Sequence, residues 1–350
     1  MGGDFWRNRS VFVTGCTGFK GGWISLWLSV LGARVHGYSL EPPTLPSFFD
    51  ETNLAARLSS LVIADILDLT SLKEKMDLAK PSIVIHMAAQ PLVLRSYQSP
   101  TETFATNVIG TVNLLEAVRE TASVEAVINV TTDKCYENRE SARPYRESDR
   151  LGGHDPYSSS KACAELAAAA YQKSFFLDAG IQLASVRAGN VIGGGDWAPD
   201  RLIPDFFRSI DADEVLSIRS PDVVLPWQHV LEPLAGYLTL AERLVADGSD
   251  FAQAWNFGPN ETDVKPVSWV IDYLGQQAAN ERCNIKSAPQ HHEAKLLYLN
   301  SAKARSKLGW APRWSIETAL SMALDWHQAW RQHKPMDKFS IRQIEAYLSA

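Results

Sequence analysis

Tyr157 and Lys161 stand four residues apart in the run Tyr157-Ser158-Ser159-Ser160-Lys161. On a helix that spacing puts both side chains on one face. An ammonium beside a phenol favours the phenolate and draws its pKa down from an ordinary value of about 10. Such a tyrosine can take the proton of a sugar hydroxyl while a hydride leaves the same carbon. A surface tyrosine and a solvated lysine are the competing reading of the pair. A second cluster narrows the choice. The run Asn129-Val130-Thr131-Thr132-Asp133-Lys134-Cys135-Tyr136 closes an apolar strand. The Thr132 hydroxyl can hydrogen-bond a substrate hydroxyl and align it with Tyr157. Asp133 and Lys134 add two titratable groups at the edge of the same cleft, which points to chemistry beyond simple redox. Thr132, Asp133, Lys134, Tyr157 and Lys161 are therefore the candidate catalytic residues.

A third group binds rather than reacts. Gly15, Gly18 and Gly21 form a G-x-x-G-x-x-G run between an apolar strand and a helical pattern, with Thr17, Phe19 and Lys20 filling the loop. Glycines there allow a tight turn, close approach to a pyrophosphate and close helix packing, and the helix N-terminus faces the phosphates. Ligands of open α/β sheets collect at the carboxyl ends of the strands. Three later strand ends extend the expected dinucleotide site: Ser39 and Glu41, then Asp65 and Ile66, then His86 to Gln90, where Ala88 and Ala89 let a cofactor lie against the backbone. Gln90 and Asn107 complete the set expected at the cofactor. Asp65 also reads as a helix N-terminal carboxylate. The second strand ends Gly37-Tyr38-Ser39-Leu40-Glu41 and Lys20 can approach an extra phosphate, so this pattern alone leaves NAD and NADP both open.

The elements that must position these residues follow from hydrophobic pattern. Strand-like runs at 10–14, 33–40, 61–64, 83–87, 126–131 and 182–187 alternate with helical stretches at 22–31, 71–79, 103–121 and 158–177. This alternation predicts an α/β fold, a Rossmann-like doubly wound parallel sheet with helices on both faces. The strands are near-continuous apolar runs, as burial on both faces requires. After Gly189 the glycines at 193–195 and the prolines at 199, 204, 221 and 226 indicate shorter elements and loops. Residues 1–188 are expected to form the dinucleotide-binding domain and 189–350 mainly a smaller C-terminal substrate-binding domain. The stretch 227–246 reads as a helix, and 227–256 is expected to return to the first domain.

Composition excludes several classes. At 350 residues the chain is two domains or one large α/β unit. Its 34 Lys and Arg against 40 Asp and Glu argue against a nucleic-acid binder that works by neutralising phosphates. No apolar run approaches the roughly 18 residues of a membrane span, and the N-terminus lacks the apolar core of a signal peptide. The four cysteines form no C-x-x-C pair, so neither a zinc site nor a disulfide framework is expected, and no metal. A soluble enzyme or binding protein of the reducing cytosol is the resulting expectation.

The motifs together resemble one family. They are Phe5-Trp6, Thr14–Trp23 (TGCTGFKGGW), Gly37–Leu40 with Pro42–Thr44, His86–Pro91 (HMAAQP), Thr132–Asn138 (TDKCYEN), Tyr157–Lys161, Arg187–Asp196 (RAGNVIGGGD), Asp200–Pro204 (DRLIP), Pro226–Val230 (PWQHV), Trp255–Pro259 (WNFGP) and His292–Ala294. In combination they resemble the CDP-glucose 4,6-dehydratases of the extended short-chain dehydrogenase/reductase superfamily. The resemblance implies NAD as cofactor and CDP-glucose or a related nucleotide sugar as substrate. It implies oxidation at C4 with Tyr157 as base, loss of water across C5–C6 with Asp133 as acid, and hydride return to C6. Lys134 stands where relatives place the C5 base. Gln90, Thr132, Asn190, Arg201, Leu202, Arg219 and His292 are the residues expected at the substrate, with Arg201 or Arg219 on the diphosphate. Arg187 and Asp196 read instead as structural ion-pair residues. Leu225 stands where the family usually carries Arg, Cys16 where relatives often carry His, and Asn300 where they often carry Asp. Relatives pair the equivalents of helices 103–121 and 158–177 as a dimer contact, so a homodimer or homotetramer is expected. The product class suggests dideoxysugars of surface lipopolysaccharide. A 4-epimerase or reductase on the same fold needs no acid–base pair for elimination, so Asp133 and Lys134 discriminate against it. A silent NAD-bound scaffold has no need of Thr132, Tyr157 and Lys161 together.

Overall fold

The computed structural model describes residues 3–139, 143–218, 220–278, 283–285 and 297–350. Seven strands make one parallel sheet: β1 (Ser10–Thr14), β2 (Arg34–Ser39), β3 (Ser60–Ile63), β4 (Ile83–His86), β5 (Ala126–Val130), β6 (Gln182–Ala188) and, late in the chain, Ala254–Phe257. The order is β3-β2-β1-β4-β5-β6 with Ala254–Phe257 outside β6. This is the doubly wound arrangement expected from the sequence. Thr14 sits opposite both Tyr38 of β2 and His86 of β4, so the strand order reverses at the end of β1 and opens a crevice there.

Alternation within each strand builds the two faces. Val11, Val13, Ile83, Ile85 and Ile128 enter one hydrophobic core, and Phe12, Val84 and Val127 enter the other. The first core is covered by the helices Phe19–Val30 and Leu231–Asp247, the second by Leu69–Ala79 and Gly110–Glu120. The helical run before Glu120 begins at Pro100 and widens by one residue per turn over Ala105–Ile109. The next helix, Pro156–Tyr171, carries a similar widening at Gln172–Phe176.

Shorter elements gather after residue 189. β7 (Asn190–Ile192) pairs with β9 (Val224–His229), which also takes Val264–Pro266. β8 (Leu216–Ile218) pairs with Cys283–Ile285. They share a core with the helices Leu202–Asp211, Val267–Ala278 and Ile316–Arg331. The reading of 227–246 as one helix needs correction: Trp227, Gln228 and His229 belong to β9, and the helix starts at Leu231. A short apolar run has no period that separates buried strand from buried helix. The helix then crosses β5 and β6 and leads into the edge strand Ala254–Phe257, here β10. Among the described residues no helix is long and apolar enough to cross a membrane.

Candidate functional site

A cavity of about 920 Å³ opens at the carboxyl ends of the parallel strands. One wall is the glycine loop. Gly15 has φ of +72°, and a Cβ there would stand 2.7 Å from the backbone nitrogen of Ala88. A Cβ on Gly21 would stand 2.0 Å from the Gly15 carbonyl oxygen, so the helix can dock on the turn only through a glycine. Gly18 is different: a Cβ there meets nothing nearer than 3.5 Å in the protein, and its face is the cavity. Gly18 also precedes the 12-residue helix Phe19–Val30, whose start has no side-chain cap and no acidic residue in its first turn. Its free N–H groups and dipole suit an anion such as a pyrophosphate. The loop therefore fits a dinucleotide.

Thr17, Ser39, Asp65, Ile66, Ala88 and Ala89 line the same cavity. The Thr17 hydroxyl donates to the Leu40 carbonyl at 2.8 Å and shares a 2.6 Å hydrogen bond with Ser39. Asp65 is not a helix cap. Its carboxylate accepts from the Leu67 N–H at 2.9 Å, while Asp68 caps the helix Leu69–Ala79. Gln90 lines the cavity as well, and its polar atoms and those of Asn107 have partners within the protein. The Gln90 amide donates to Leu92 O at 3.1 Å and to Thr103 at 2.9 Å, and its oxygen accepts from Leu92 N–H at 2.7 Å. Asn107, buried behind the wall, accepts from Gln90 N–H at 2.8 Å and donates to Gln90 O and Ser160. Their polar atoms brace the loop after β4.

The catalytic candidates converge on the other wall. Thr132 follows β5 and accepts from the Lys134 N–H at 3.3 Å while donating to Asp133 Oδ1 at 2.9 Å. Asp133 is 3% exposed, and burial raises its pKa against the pull of Lys134 and Thr132. A Cβ at Gly189 would stand 3.0 Å from Asp133 Oδ2, so that glycine leaves the carboxyl its room. Lys134 lines the cavity beside it. Tyr157 lies in the first turn of its helix, where Asp155 caps by accepting from Ser158 N–H at 2.9 Å and Pro156 has no N–H that would need an acceptor.

The pKa pattern at this helix departs from the sequence expectation. Burial pushes the Tyr157 phenol up to about 12, with the Thr132 hydroxyl and the Arg201 guanidinium pulling it down and Asp133 pushing it further up. The Lys161 ammonium donates to Val130 O at 3.2 Å, and burial draws its own pKa down to about 8 against the pull of Glu165. Desolvation outweighs the charge contribution that the four-residue spacing implies. Lys20 also reaches the centre. It donates to the Tyr237 hydroxyl at 3.3 Å, and burial, Lys161 and Arg201 bring its pKa to about 7. Lys20 and Lys134 thus interact with Asp133 and Arg201 with Tyr157, in a chain whose net charge is −6.

Asn190, Arg201 and Leu202 line the same cavity. Arg201 donates to Asp196 at 2.8 Å, so the guanidinium enters the site already paired. Asp196 is therefore Arg201's partner, while Arg187 pairs with Glu165. Leu225 joins Leu216, Ile218, Trp227 and Val267 in an apolar stretch of wall. Arg219 and His292 lie outside the described residues. Sequence reasoning missed Tyr237 and Glu165. The first lies 217 residues from its partner, but the second is signalled by the spacing Lys161-x-x-x-Glu165. Among the described residues no three His, Cys, Asp or Glu side chains cluster as for a metal.

Comparison with known proteins places this site in context. The family model of the GDP-mannose 4,6 dehydratases matches residues 12–323. A curated CDP-glucose 4,6-dehydratase of Salmonella typhimurium is 49% identical over 99% of this chain and 98% of its own length. A dTDP-glucose 4,6-dehydratase of Xanthomonas campestris is 25% identical over 95% of this chain and 98% of its own. Among solved structures, a double mutant of the dTDP-glucose 4,6-dehydratase of Streptomyces venezuelae with NAD bound superposes with a TM-score of 0.79 at 23% identity, covering 93% of this chain and 99% of that one. The UDP-glucose 4-epimerase of Thermotoga maritima gives 0.79 at 21% identity, covering 92% and 98%.

Proposed function

The chain belongs to the GDP-mannose 4,6-dehydratase family, and we propose that it is an NAD-dependent hydro-lyase that converts CDP-glucose to CDP-4-dehydro-6-deoxyglucose. The observation that carries the reading is the position of Asp133. It is a buried carboxyl whose pKa burial raises, one residue from Thr132 and in the electrostatic reach of Tyr157. A 4-epimerase needs Tyr157 and Lys161 but no such acid. The similarity to the Salmonella enzyme supports CDP-glucose as the substrate.

NAD, when bound, supplies a hydride acceptor that is restored within each cycle. Thr132 Oγ1 orients the C4 hydroxyl, and Tyr157 Oη takes its proton. The C4 carbonyl acidifies the C5–H bond. Lys134 handles the C5 proton or stabilises the developing enolate. The Asp133 carboxyl gives its proton to the C6 hydroxyl, which leaves as water. Hydride lost at C4 is regained at C6 and a proton is regained at C5, so the sugar is dehydrated without net oxidation. Lys20, Lys161 and Arg201 make the centre attractive to a diphosphate despite the negative total.

Residues 1–188 with 227–256 would hold the dinucleotide, and much of the remainder the sugar nucleotide. The helices Gly110–Glu120 and Pro156–Tyr171 pack side by side and leave Leu166 60% exposed, with Ile109 52% exposed just before the first of them. This apolar face supports a homo-oligomer. The enzyme would work in the cytoplasm, on the route to the deoxysugars of lipopolysaccharide. Incubation with CDP-glucose and NAD tests the reading, with the alkaline ultraviolet absorbance of a 4-keto sugar as the signal. Turnover of CDP-glucose is expected, and inactivity on CDP-, UDP-, dTDP- and GDP-sugars alike would overturn it.

A further inference from the structure

One buried carboxylate takes no part in these steps. Glu165 follows Lys161 by four residues and Tyr157 by eight, so the three lie along one face of the helix Pro156–Tyr171. It is 4% exposed. Its Oε1 accepts from Thr131 Oγ1 at 2.6 Å, from Arg187 Nε at 2.7 Å and from Cys135 Sγ at 3.4 Å, and its Oε2 accepts from the Arg187 guanidinium. These donors come from the end of β5, the turn after it and β6. Arg187 alone would neutralise the charge. The other two donors fix the carboxylate at the place where Thr132, Asp133 and Lys134 leave the sheet.

Lys161 has few other neighbours that can set its charge. From the glycine loop it faces Lys20 and from β4 it faces His86, both of which interact with it through space. The turn after β5 contributes Cys135, its own helix contributes Glu165, and Arg187 stands on the far side of Glu165. Burial keeps His86 neutral, with a pKa near 3, and holds the Cys135 thiol well above its ordinary range. Glu165 is then the carboxylate that opposes the desolvation of Lys161.

We propose that Glu165 is a positioning residue of the site: its anchored carboxylate holds Lys161 as an ammonium against the Val130 carbonyl. This rests on the proposed role of Lys161 at the cofactor, and it adds a residue that acts only through another.

The test reads NADH affinity against pH by NADH fluorescence, with no sugar nucleotide and no turnover. In the wild type, affinity falls as Lys161 loses its proton, with a midpoint near pH 8. Lys161→Arg, which cannot deprotonate in this range, lacks that limb and so assigns it. Glu165→Gln is expected to move the midpoint down by about one pH unit, the scale of a neighbouring opposite charge. Glu165→Asp keeps Arg187 paired and withdraws the carboxylate by one methylene, so its midpoint moves the same way by less. Where the glutamine variant does not fold, the aspartate variant decides alone. A midpoint left in place in a folded Glu165 variant overturns the proposal. A wild type that binds NADH but turns over no nucleotide sugar would refute the dehydratase reading and leave this titration to stand on its own.

Discussion

The Lys161 ammonium donates to the Val130 carbonyl at 3.2 Å, one helical turn beyond Tyr157. The ammonium is thus a fastener between the helix that carries Tyr157 and the end of β5. Removing either residue should therefore give different losses. Tyr157→Phe should lower kcat by about a hundred- to ten-thousand-fold, the usual scale of a lost acid–base group, with NADH affinity near the wild type. Lys161→Met should lower both. Steady-state kinetics beside an NADH fluorescence titration separates the two.

Asp133 is buried, and burial raises its pKa, the direction that the proposed acid role needs. Asn keeps the shape and a hydrogen bond to Thr132 but cannot protonate a leaving hydroxyl. Asp133→Asn should slow water loss much more than C4 oxidation. Rapid mixing with CDP-glucose should show reduced nicotinamide accumulating in the variant, where the wild type shows little. Equal slowing of both steps would contradict the acid role.

Two glycines of the loop should respond oppositely to alanine. At Gly18 the added methyl meets the protein only at 3.5 Å but enters the cavity, so the variant should fold normally and bind NADH at least tenfold more weakly. At Gly21 it would lie 2.0 Å from the Gly15 carbonyl oxygen, so the protein itself should be destabilised by several kcal/mol, as backbone overpacking is. Thermal melts paired with NADH titrations distinguish the two.

His229 is fully buried with its Nε2 unpartnered, and burial brings its pKa down to about 3. An unfolded histidine titrates near 6.5, so between about pH 6.5 and 3 the unfolded chain binds the extra proton. This residue's contribution to stability is complete above that window and is lost as the pH falls through it, by about 5 kcal/mol at most. Asn at 229 cannot take the proton. Urea unfolding of His229→Asn against the wild type at pH 7.5, 6 and 5 should show the gap between them changing in the variant's favour as the solution becomes more acidic.

Leu166 and Ile109 are large apolar side chains left at the surface of adjoining helical segments. A charged residue on such a face opposes burial against a second copy. Leu166→Glu should reduce the mass found by sedimentation to that of a single chain while the melt stays within a few degrees of the wild type. A wild type already monomeric at micromolar concentration would remove the basis for this expectation.

Six strands of the large sheet are readable from the chain because each is a buried apolar run between helical patterns. Ser10–Thr14 matches residue for residue, and Ser60–Ile63 is offset by one. The glycine loop is readable because its three glycines stand at a fixed spacing between an apolar strand and a helical pattern, although the fold itself demands glycine only at Gly15 and Gly21. What spacing does not encode is depth. Tyr157 and Lys161 sit where the pattern puts them, yet their protons follow burial, which depends on the whole fold. The contact between Lys20 and Tyr237 needs the helix after β9 to return across β5 and β6. The hydrogen bonds that tie Gln90 to Asn107 and Thr103 join residues up to 17 apart and have no signal in the spacing.

β10 lies at the sheet edge beside β6, although some 65 residues of chain separate the two strands. During synthesis every catalytic candidate that the structure describes up to Lys161 has emerged, and β6 after it, while the edge of β6 still has no neighbour. An unpaired apolar strand edge is a template for pairing with another nascent chain. The hazard lasts until Phe257 has cleared the ribosome. Truncations ending between β6 and β10 should therefore aggregate even though they contain the complete Tyr157 helix.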